Sequence, residues 1–293
     1  MSPHWHLLFP LLSSLLYVGG ALFIKRCAEL GVGVWRTAFV SNLASALLFM
    51  PLWALGGGGQ PWNQFWQPAV VALLLVIGQV LGFVALSRGD VSVATPVLGV
   101  KTVLVALFTT ALLTQGVPPK LWMGAGLSAL AIGFLHGGGG GVHRKAGLSA
   151  ITAVLAAICF ALFDVLVQRF SPRWGVGRFL PIMNAMAAAL SFGMVPLFHA
   201  PLRAVPRAAW PAVLGAAGFI AVQGLILITT VAWFGDATAV NIVYSSRGLW
   251  SVAAVWLIGH WFSSQEQHLG RRVLGWRLAG AALMTIAIVL ALV

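Results

Sequence analysis

Two stretches of the sequence decide the fold: GDVSVATPVLGVKTVLVALFTTALL at residues 89–113 and GDATAVNIVYSSRGLWSVAAVWLIG at residues 235–259. Both begin with Gly-Asp and continue as an apolar run that can cross a hydrocarbon core of about 30 Å as a helix. Each carries one basic residue twelve positions after the glycine, Lys101 in the first and Arg247 in the second. Matched starts and matched cations indicate an internal repeat rather than chance similarity between two apolar helices.

The rest of the chain has the same apolar character. Of its 293 residues, 60% are hydrophobic and 8% are charged, and the mean hydropathy is +0.97. A soluble domain is typically about 25% charged. Long apolar segments follow one another with short breaks, unlike the short alternating segments of a β-barrel. The sequence therefore predicts an all-α, multi-pass integral membrane protein of a plasma or inner membrane.

Ten transmembrane helices are predicted. They lie at about 5–24, 35–55, 68–87, 91–114, from after GVPPK to 136, 148–168, 177–197, 210–233, 237–259 and 273–293. The glycine-rich and then basic stretch 137–147 is typical of a linker and divides the chain into five-helix repeats at 1–136 and 148–293. Because each repeat has an odd number of helices, the second must cross the membrane in the opposite sense. Such inverted repeats are the plan of many secondary transporters, whose sites lie near the midplane between the halves.

The region around the first stretch resembles a known family. ALSRGDVSVATPVLGVKTVLVALFTTALL at 85–113, followed by GAGLSALAIGFL at 124–135, is similar to the drug/metabolite transporter superfamily and, within it, to the ten-helix EamA-like transporters. A weaker copy lies in register at 232–259. The resemblance implies two EamA-like repeats and secondary transport. Lys101 departs from the pattern, because family members commonly carry a proline there, and Gln115 stands where they often carry a glutamate. The first departure favours a specialised binding site over a general drug exporter.

Lys101 and Arg247 are the most informative residues. Each lies roughly 15 Å into its predicted helix at ~1.5 Å per residue, and a cation at that depth costs about 2.5 to 3.5 kcal/mol. The repeat brings the two near a pseudo-twofold axis, where they could bind a carboxylate, phosphate or sulfate group. The alternative is that one or both pair with a buried acid. The resemblance adds that related nucleotide-sugar and sugar-phosphate translocators use basic residues of the fourth and ninth helices for phosphate.

Other polar residues complete the candidate site. Tyr244, Ser246 and Asn241 lie close to Arg247, and Thr102 follows Lys101. These groups could orient a substrate or hydrogen-bond between helices. The weaker candidates of the same kind are Tyr17, Asn42, Gln79, Asn184 and Gln223.

The acidic residues are few and have distinct expected roles. Asp164 is the only acid well inside a predicted helix. It could couple transport to an ion, pair with Lys101 or Arg247, or lie at the membrane interface. Asp90 and Asp236 each follow a glycine at a helix start, where a carboxylate can accept hydrogen bonds from the free N–H groups of the first turn. They are predicted to be helix caps.

Several classes of function are disfavoured. The sequence has no clustered acids, no nucleophile–histidine pairing and no metal spacing, which argues against an enzyme and implies neither cofactor nor metal. It also lacks a nucleotide-binding motif, so direct ATP drive is not expected. The 17 basic residues, which give a net charge of +12, are scattered between apolar segments. That distribution favours contact with membrane lipids over nucleic-acid binding.

The sequence thus predicts a secondary transporter that moves a small anionic or zwitterionic metabolite by alternating access. The alternatives are a lipid-headgroup flippase, or a general drug/metabolite exporter in which Lys101 and Arg247 are structural. Basic residues are more numerous in the loops after odd-numbered helices, which favours both termini outside, whereas the family resemblance implies both inside. The sequence leaves monomer and homodimer open.

Overall fold

Ten α-helices form most of the described chain. The structure is a computed structural model that describes residues 5–88, 97–113, 116–136, 146–250, 253 and 271–292. In chain order the helices are α1 (Leu8–Glu29), α2 (Val34–Phe49), α3 (Trp66–Arg88), α4 (Lys101–Leu113), α5 (Pro119–His136), α6 (Ala146–Trp174), α7 (Val176–Ser191), α8 (Trp210–Phe234), α9 (Ala237–Tyr244) and α10 (Arg271–Leu292). The predicted all-α, ten-helix fold is confirmed.

The helix surfaces suit lipid. Seven helical segments of the described residues are long and apolar enough to cross a membrane, and Val97–Leu113 and Pro119–Leu135 are shorter apolar helices. Large apolar side chains point outward along them, with Leu8 62%, Ile151 63% and Leu278 63% exposed. In water such extended apolar surface is rare on a monomer, whereas lipid tails solvate it. The chain is a multi-pass membrane protein.

Helices of the two halves interleave instead of forming separate bundles. Helix α1 packs most extensively on α8, and its counterpart α6 packs on α3, the counterpart of α8. Helices α5 and α10 pack on each other, as do α2 and α7, and α4 and α9. This reciprocal pattern is what a pseudo-twofold relation between two five-helix repeats requires. Residues 137–145 of the predicted linker lie outside the described residues, so the repeat limits 1–136 and 148–293 stay predictions.

The predicted ninth helix is interrupted. Helix α9 ends at Tyr244, Ser245 and Ser246 form a turn, and residues 247–250 are helical again. The Ser245 hydroxyl donates to the carbonyl of Ile242 over 2.6 Å, a side-chain bond that competes with continued helix. The prediction of an unbroken helix over 237–259 is therefore wrong at this turn.

A turn occupies the equivalent place in the first half. Residues 97–99 are helical, Val100 is a turn, and α4 begins at the next residue. The Val100 N–H donates to the Val97 carbonyl over 3.1 Å. The two turns thus lie directly before Lys101 and Arg247. Residues 91–96, with Pro96, lie outside the described residues.

Glycine allows α5 and α10 to pack closely. A Cβ added at Gly280 would lie 2.8 Å from the backbone nitrogen of Leu135 and 2.9 Å from the carbonyl oxygen of Ala131. A Cβ at Gly124 would lie 3.3 Å from the carbonyl oxygen of Ala287. Close backbone approach through small residues is the usual way in which helices associate in lipid.

Helix α6 is longer than predicted. It ends at Trp174 rather than near residue 168 and passes through Pro172. Trp174 is 1% exposed, and its indole N–H donates to the Oε1 atom of Gln67 in α3 over 2.8 Å. This tertiary contact fixes the last turn of α6 against the start of α3.

Candidate functional site

A buried ion pair joins α4 and α6 near the middle of the bundle. The Lys101 Nζ atom lies 2.7 Å from Asp164 Oδ2, and the two side chains are 14% and 4% exposed. The Asn241 side-chain amide on α9 donates to the same Asp164 oxygen over 2.8 Å. The Lys101 ammonium also lies 5.9 Å from the centre of the Phe160 ring. Of the partners that the sequence allowed for Asp164, the structure selects Lys101.

Arg247 has a different environment. Its guanidinium carbon lies 4.8 Å from the ring centre of Tyr17 and 4.9 Å from that of Tyr244, so two aromatic faces contact the cation. Its Nη1 atom donates to the Tyr244 hydroxyl over 3.5 Å. Within the part of the chain that the structure describes, no carboxylate forms a salt bridge with Arg247. The aromatic faces stabilise the charge by cation–π attraction and leave most of its N–H donors unused.

A hydrogen-bonded network holds the residues that surround Arg247. The Tyr244 hydroxyl donates to Gln223 Oε1 over 3.0 Å, and the Ser13 hydroxyl donates to the Gln223 carbonyl over 2.8 Å. The Ser246 and Ser14 hydroxyl oxygens lie 2.9 Å apart. These contacts tie α1, α8 and α9 together around the guanidinium. They give Tyr244 a fixed position.

The two clusters form one charged region. The Lys101 ammonium interacts electrostatically with both Asp164 and Arg247, and the Arg247 guanidinium also interacts with Asp164. Within the described residues, the two cations and one carboxylate of this region carry a formal charge of +1. The region draws on α1, α4, α6, α8 and α9, and therefore on both halves of the chain.

Most of the predicted site residues lie in the two clusters, but Thr102 does not. The structure brings Lys101, Asp164 and Asn241 into one cluster and Tyr244 and Arg247 into the adjoining one. Thr102 instead lies between α4 and α5, where its hydroxyl donates to the Ala125 carbonyl over 3.2 Å and accepts from Ser128 over 3.0 Å.

The weaker candidates also differ in position. Tyr17 and Gln223 contact the arginine cluster. Asn42 and Gln79 exchange two amide hydrogen bonds of 3.1 Å between α2 and α3. The Asn184 amide donates to the carbonyl of Leu180 within α7 over 3.0 Å.

Sequence reasoning missed Ser13, Ser14 and Phe160. A signal existed for the serines, because they lie three and four positions before Tyr17 and so share a face of α1 with it. Phe160 precedes Asp164 by one turn of α6, but an apolar ring in an apolar helix gives no sequence signal.

Asp236 is a helix cap, as predicted. Its carboxylate accepts from the backbone N–H of Ala239 over 3.1 Å at the start of α9. Gln168 completes this end of the helix, because its side-chain oxygen accepts from the Ala237 N–H over 3.0 Å. Asp90, the predicted cap of the fourth helix, lies outside the described residues.

A cavity of about 370 Å³ opens beside the capped end of α9. Its lining includes Lys120, Gln168, Asp236 and Thr238. Gln168 lies one helical turn beyond Asp164. Neither Lys101 nor Asp164 lines this cavity.

The fold and the buried charged region define a class: a ten-helix membrane protein whose polar centre is built by two interleaved halves. Residues 4–136 match the sequence model of the EamA-like transporter family. The resemblance to the EamA-like transporters that the sequence predicts is thus confirmed over these residues.

A solved crystal structure of another protein shares the fold. It is 19% identical to this chain, the alignment covers 98% of this chain and 97% of that chain, and the TM-score is 0.72. At this identity the likeness concerns the fold alone. Comparison with curated proteins gives no match.

Proposed function

We propose that this protein transports a small anionic or zwitterionic metabolite by alternating access, with Arg247 as the residue that binds the anionic group. One observation carries the proposal: the guanidinium lies among aromatic faces without a carboxylate partner in the described residues. An unpaired intramembrane cation is costly and marks a substrate or ion pathway. A carboxylate, phosphate or sulfate would supply the missing countercharge and accept the unused donors in a forked geometry.

Lys101 has a second, conditional role in this proposal. Its charge is matched by Asp164 at 2.7 Å, so in this conformation it does not require a substrate. An anion bound at Arg247 enters the field of Lys101 and competes with Asp164 for the ammonium. In this proposal Tyr244 and Asn241 lie on either side of the region between the two cations and orient the substrate. Ser246 holds the turn after α9 against α1.

Asp164 is the proposed point of ion coupling. If the substrate forms the ion pair with Lys101, the Asp164 carboxylate is left buried without a cation, which is strongly unfavourable. Binding a proton removes that charge, and the Asn241 amide remains as a hydrogen-bond partner. Anion entry would then be accompanied by proton uptake at Asp164. In this proposal the proton enters through the cavity that Gln168 lines, and Gln168 lies one helical turn along α6 from Asp164.

Thermal stabilisation tests the binding site. The purified protein is heated with a panel of anions, zwitterions, cations and neutral compounds, because a ligand that binds only the folded state raises the apparent Tm. Wild type is compared with Arg247→Ala and with Arg203→Ala, an exposed arginine in the loop between α7 and α8. We expect one anionic class to stabilise wild type and Arg203→Ala but not Arg247→Ala. Stabilisation by cations or apolar drugs, equal in all three proteins, would overturn the proposal.

Transport in liposomes tests the coupling. An inward gradient of the stabilising anion is imposed on vesicles that contain a pH-sensitive dye. Wild type should acidify the interior during uptake, whereas Asp164→Asn should move substrate without protons. Equal proton movement in both proteins would refute coupling at Asp164 and leave anion transport standing.

One observation favours a second candidate function. The close Lys101–Asp164 pair also fits a general drug/metabolite exporter in which the pair fastens α4 to α6. The same panel separates the two functions, because the general exporter would be stabilised by apolar cations irrespective of Arg247. Location in a plasma or inner membrane, and a monomeric or dimeric state, are part of the proposal and are measured by fractionation and by mass in detergent.

A further inference from the structure

A second groove lies away from the charged region, between the start of α3 and the end of α6. Its volume is about 520 Å³. The lining consists of Trp66, Gln67, Leu166, Arg169, Phe170 and Arg173. The proposed transport mechanism uses none of these residues.

Neither arginine of the groove has a carboxylate partner among the described residues. Arg169 and Arg173 are one helical turn apart and so share a face of α6, and both are exposed. Arg169 lies 6.0 Å from the ring centre of Phe170. The backbone carbonyl of Arg173 accepts a hydrogen bond from the Gln60 side-chain amide over 2.8 Å. Among the residues described, neither guanidinium donates a hydrogen bond or meets a carboxylate.

The other wall of the groove is apolar. Trp66 is 53% exposed and packs edge-on against Phe170 with ring centres 5.5 Å apart. Leu166 extends the apolar surface toward the membrane interior. Tryptophan at the end of a spanning helix marks the depth of the lipid headgroups. The groove therefore presents two cations at headgroup depth and apolar side chains just below them.

We propose that this groove binds the headgroup of an anionic phospholipid. The phosphodiester is held between Arg169 and Arg173 by charge-assisted hydrogen bonds, and the upper acyl carbons lie on Trp66 and Leu166. Charge complementarity favours an anionic ligand, and basic pockets between transmembrane helices are known to accept such headgroups. A soluble anion would use the arginines but not the apolar wall, so the lipid is the occupant that matches the whole groove. This site is independent of the proposed transport function.

Native mass spectrometry of the full chain tests the site. Phosphatidylglycerol is titrated into detergent-solubilised wild type and into Arg169→Gln/Arg173→Gln, with phosphatidylcholine as the neutral lipid. The matched control is Arg203→Gln/Arg207→Gln, which removes two exposed arginines of the same spacing from the loop before α8. We expect wild type and control to retain one phosphatidylglycerol that the groove variant loses. The apparent Tm of the groove variant should also no longer rise with phosphatidylglycerol.

Three outcomes overturn the proposal. The first is equal phosphatidylglycerol binding by groove variant and wild type. The second is equal retention of phosphatidylcholine and phosphatidylglycerol, which would show that charge is not recognised. The third is stabilisation by millimolar glycerol phosphate that depends on the two arginines and equals that of the lipid, which would assign the groove to a soluble anion. If the double variant does not fold, Arg173→Gln alone decides by the same comparison.

Discussion

Lys101 and Arg247 occupy equivalent positions in the two halves of the chain, yet among the described residues only Lys101 is neutralised by a carboxylate. Each directly follows a turn that interrupts its helix. Lys101 lies 2.7 Å from Asp164, whereas Arg247 contacts the rings of Tyr17 and Tyr244. The two halves thus carry matched cations that have different partners. This asymmetry separates a cation paired within the protein from one available to a ligand.

Arg247→Lys tests whether the forked guanidinium is needed. Lysine keeps the charge but presents a single ammonium, so it cannot form two parallel hydrogen bonds to a carboxylate or phosphate. We expect the Kd of the stabilising anion to rise about ten- to a hundredfold, the equivalent of one charge-assisted hydrogen bond. Titration calorimetry in detergent measures the change. An unchanged Kd in Arg247→Lys would show that the charge alone suffices.

The Lys101–Asp164 pair should behave as a coupled unit in stability. Removing one partner leaves an uncompensated buried charge, which costs about 3–5 kcal/mol, whereas replacing both partners is often close to neutral. Lys101→Met and Asp164→Asn should therefore each lower the free energy of unfolding, and the double variant should recover most of the loss. A double-mutant cycle measured by chemical denaturation determines the interaction. Additive losses would mean that the two side chains act independently.

The amino-acid sequence predicted the fold more completely than it predicted the contacts of the candidate site. The length of the apolar segments and the repeated pattern of Gly-Asp followed by a cation were enough to predict ten helices. A chain that spans a bilayer can adopt few other structures. Pairing with one of the two cations was among the roles that the sequence allowed for Asp164, beside ion coupling and a position at the membrane interface. The sequence could not choose Lys101 over Arg247, because that choice depends on which helices of the two halves become neighbours.

The surroundings of Arg247 were still less predictable. Tyr17 belongs to the first helix, and its contact with Arg247 joins that helix to a segment 230 residues later in the chain. No local pattern reports such a contact. The turn at Ser245 and Ser246 had a local cause, since serine hydroxyls compete for backbone carbonyls. In a long apolar segment, however, the hydropathy predicts a continuous helix more strongly than two serines predict a turn.

Gly280→Ala tests the close packing of α5 on α10. The added Cβ would lie 2.8 Å from a backbone nitrogen and 2.9 Å from a carbonyl oxygen of α5, and backbone cannot rotate away as a side chain can. We expect a loss of about 1–3 kcal/mol in the free energy of unfolding, the usual cost of overpacking. Gly275→Ala on the same helix is the control, because a Cβ there meets nothing within 4 Å. Equal stabilities of the two variants would mean that α5 and α10 separate without cost.

The ring of Tyr17 should position the Arg247 guanidinium rather than bind the substrate itself. Tyr17→Phe keeps the ring whose centre lies 4.8 Å from the guanidinium carbon, whereas Tyr17→Leu removes it. An exposed to partly desolvated cation–π contact is worth about 0.5–2 kcal/mol. We therefore expect Tyr17→Leu to weaken anion binding about two- to thirtyfold, and Tyr17→Phe to leave it nearly unchanged. Calorimetric titration of both variants with the stabilising anion measures this. A large loss in Tyr17→Phe would instead assign the hydroxyl, and not the ring, to the substrate.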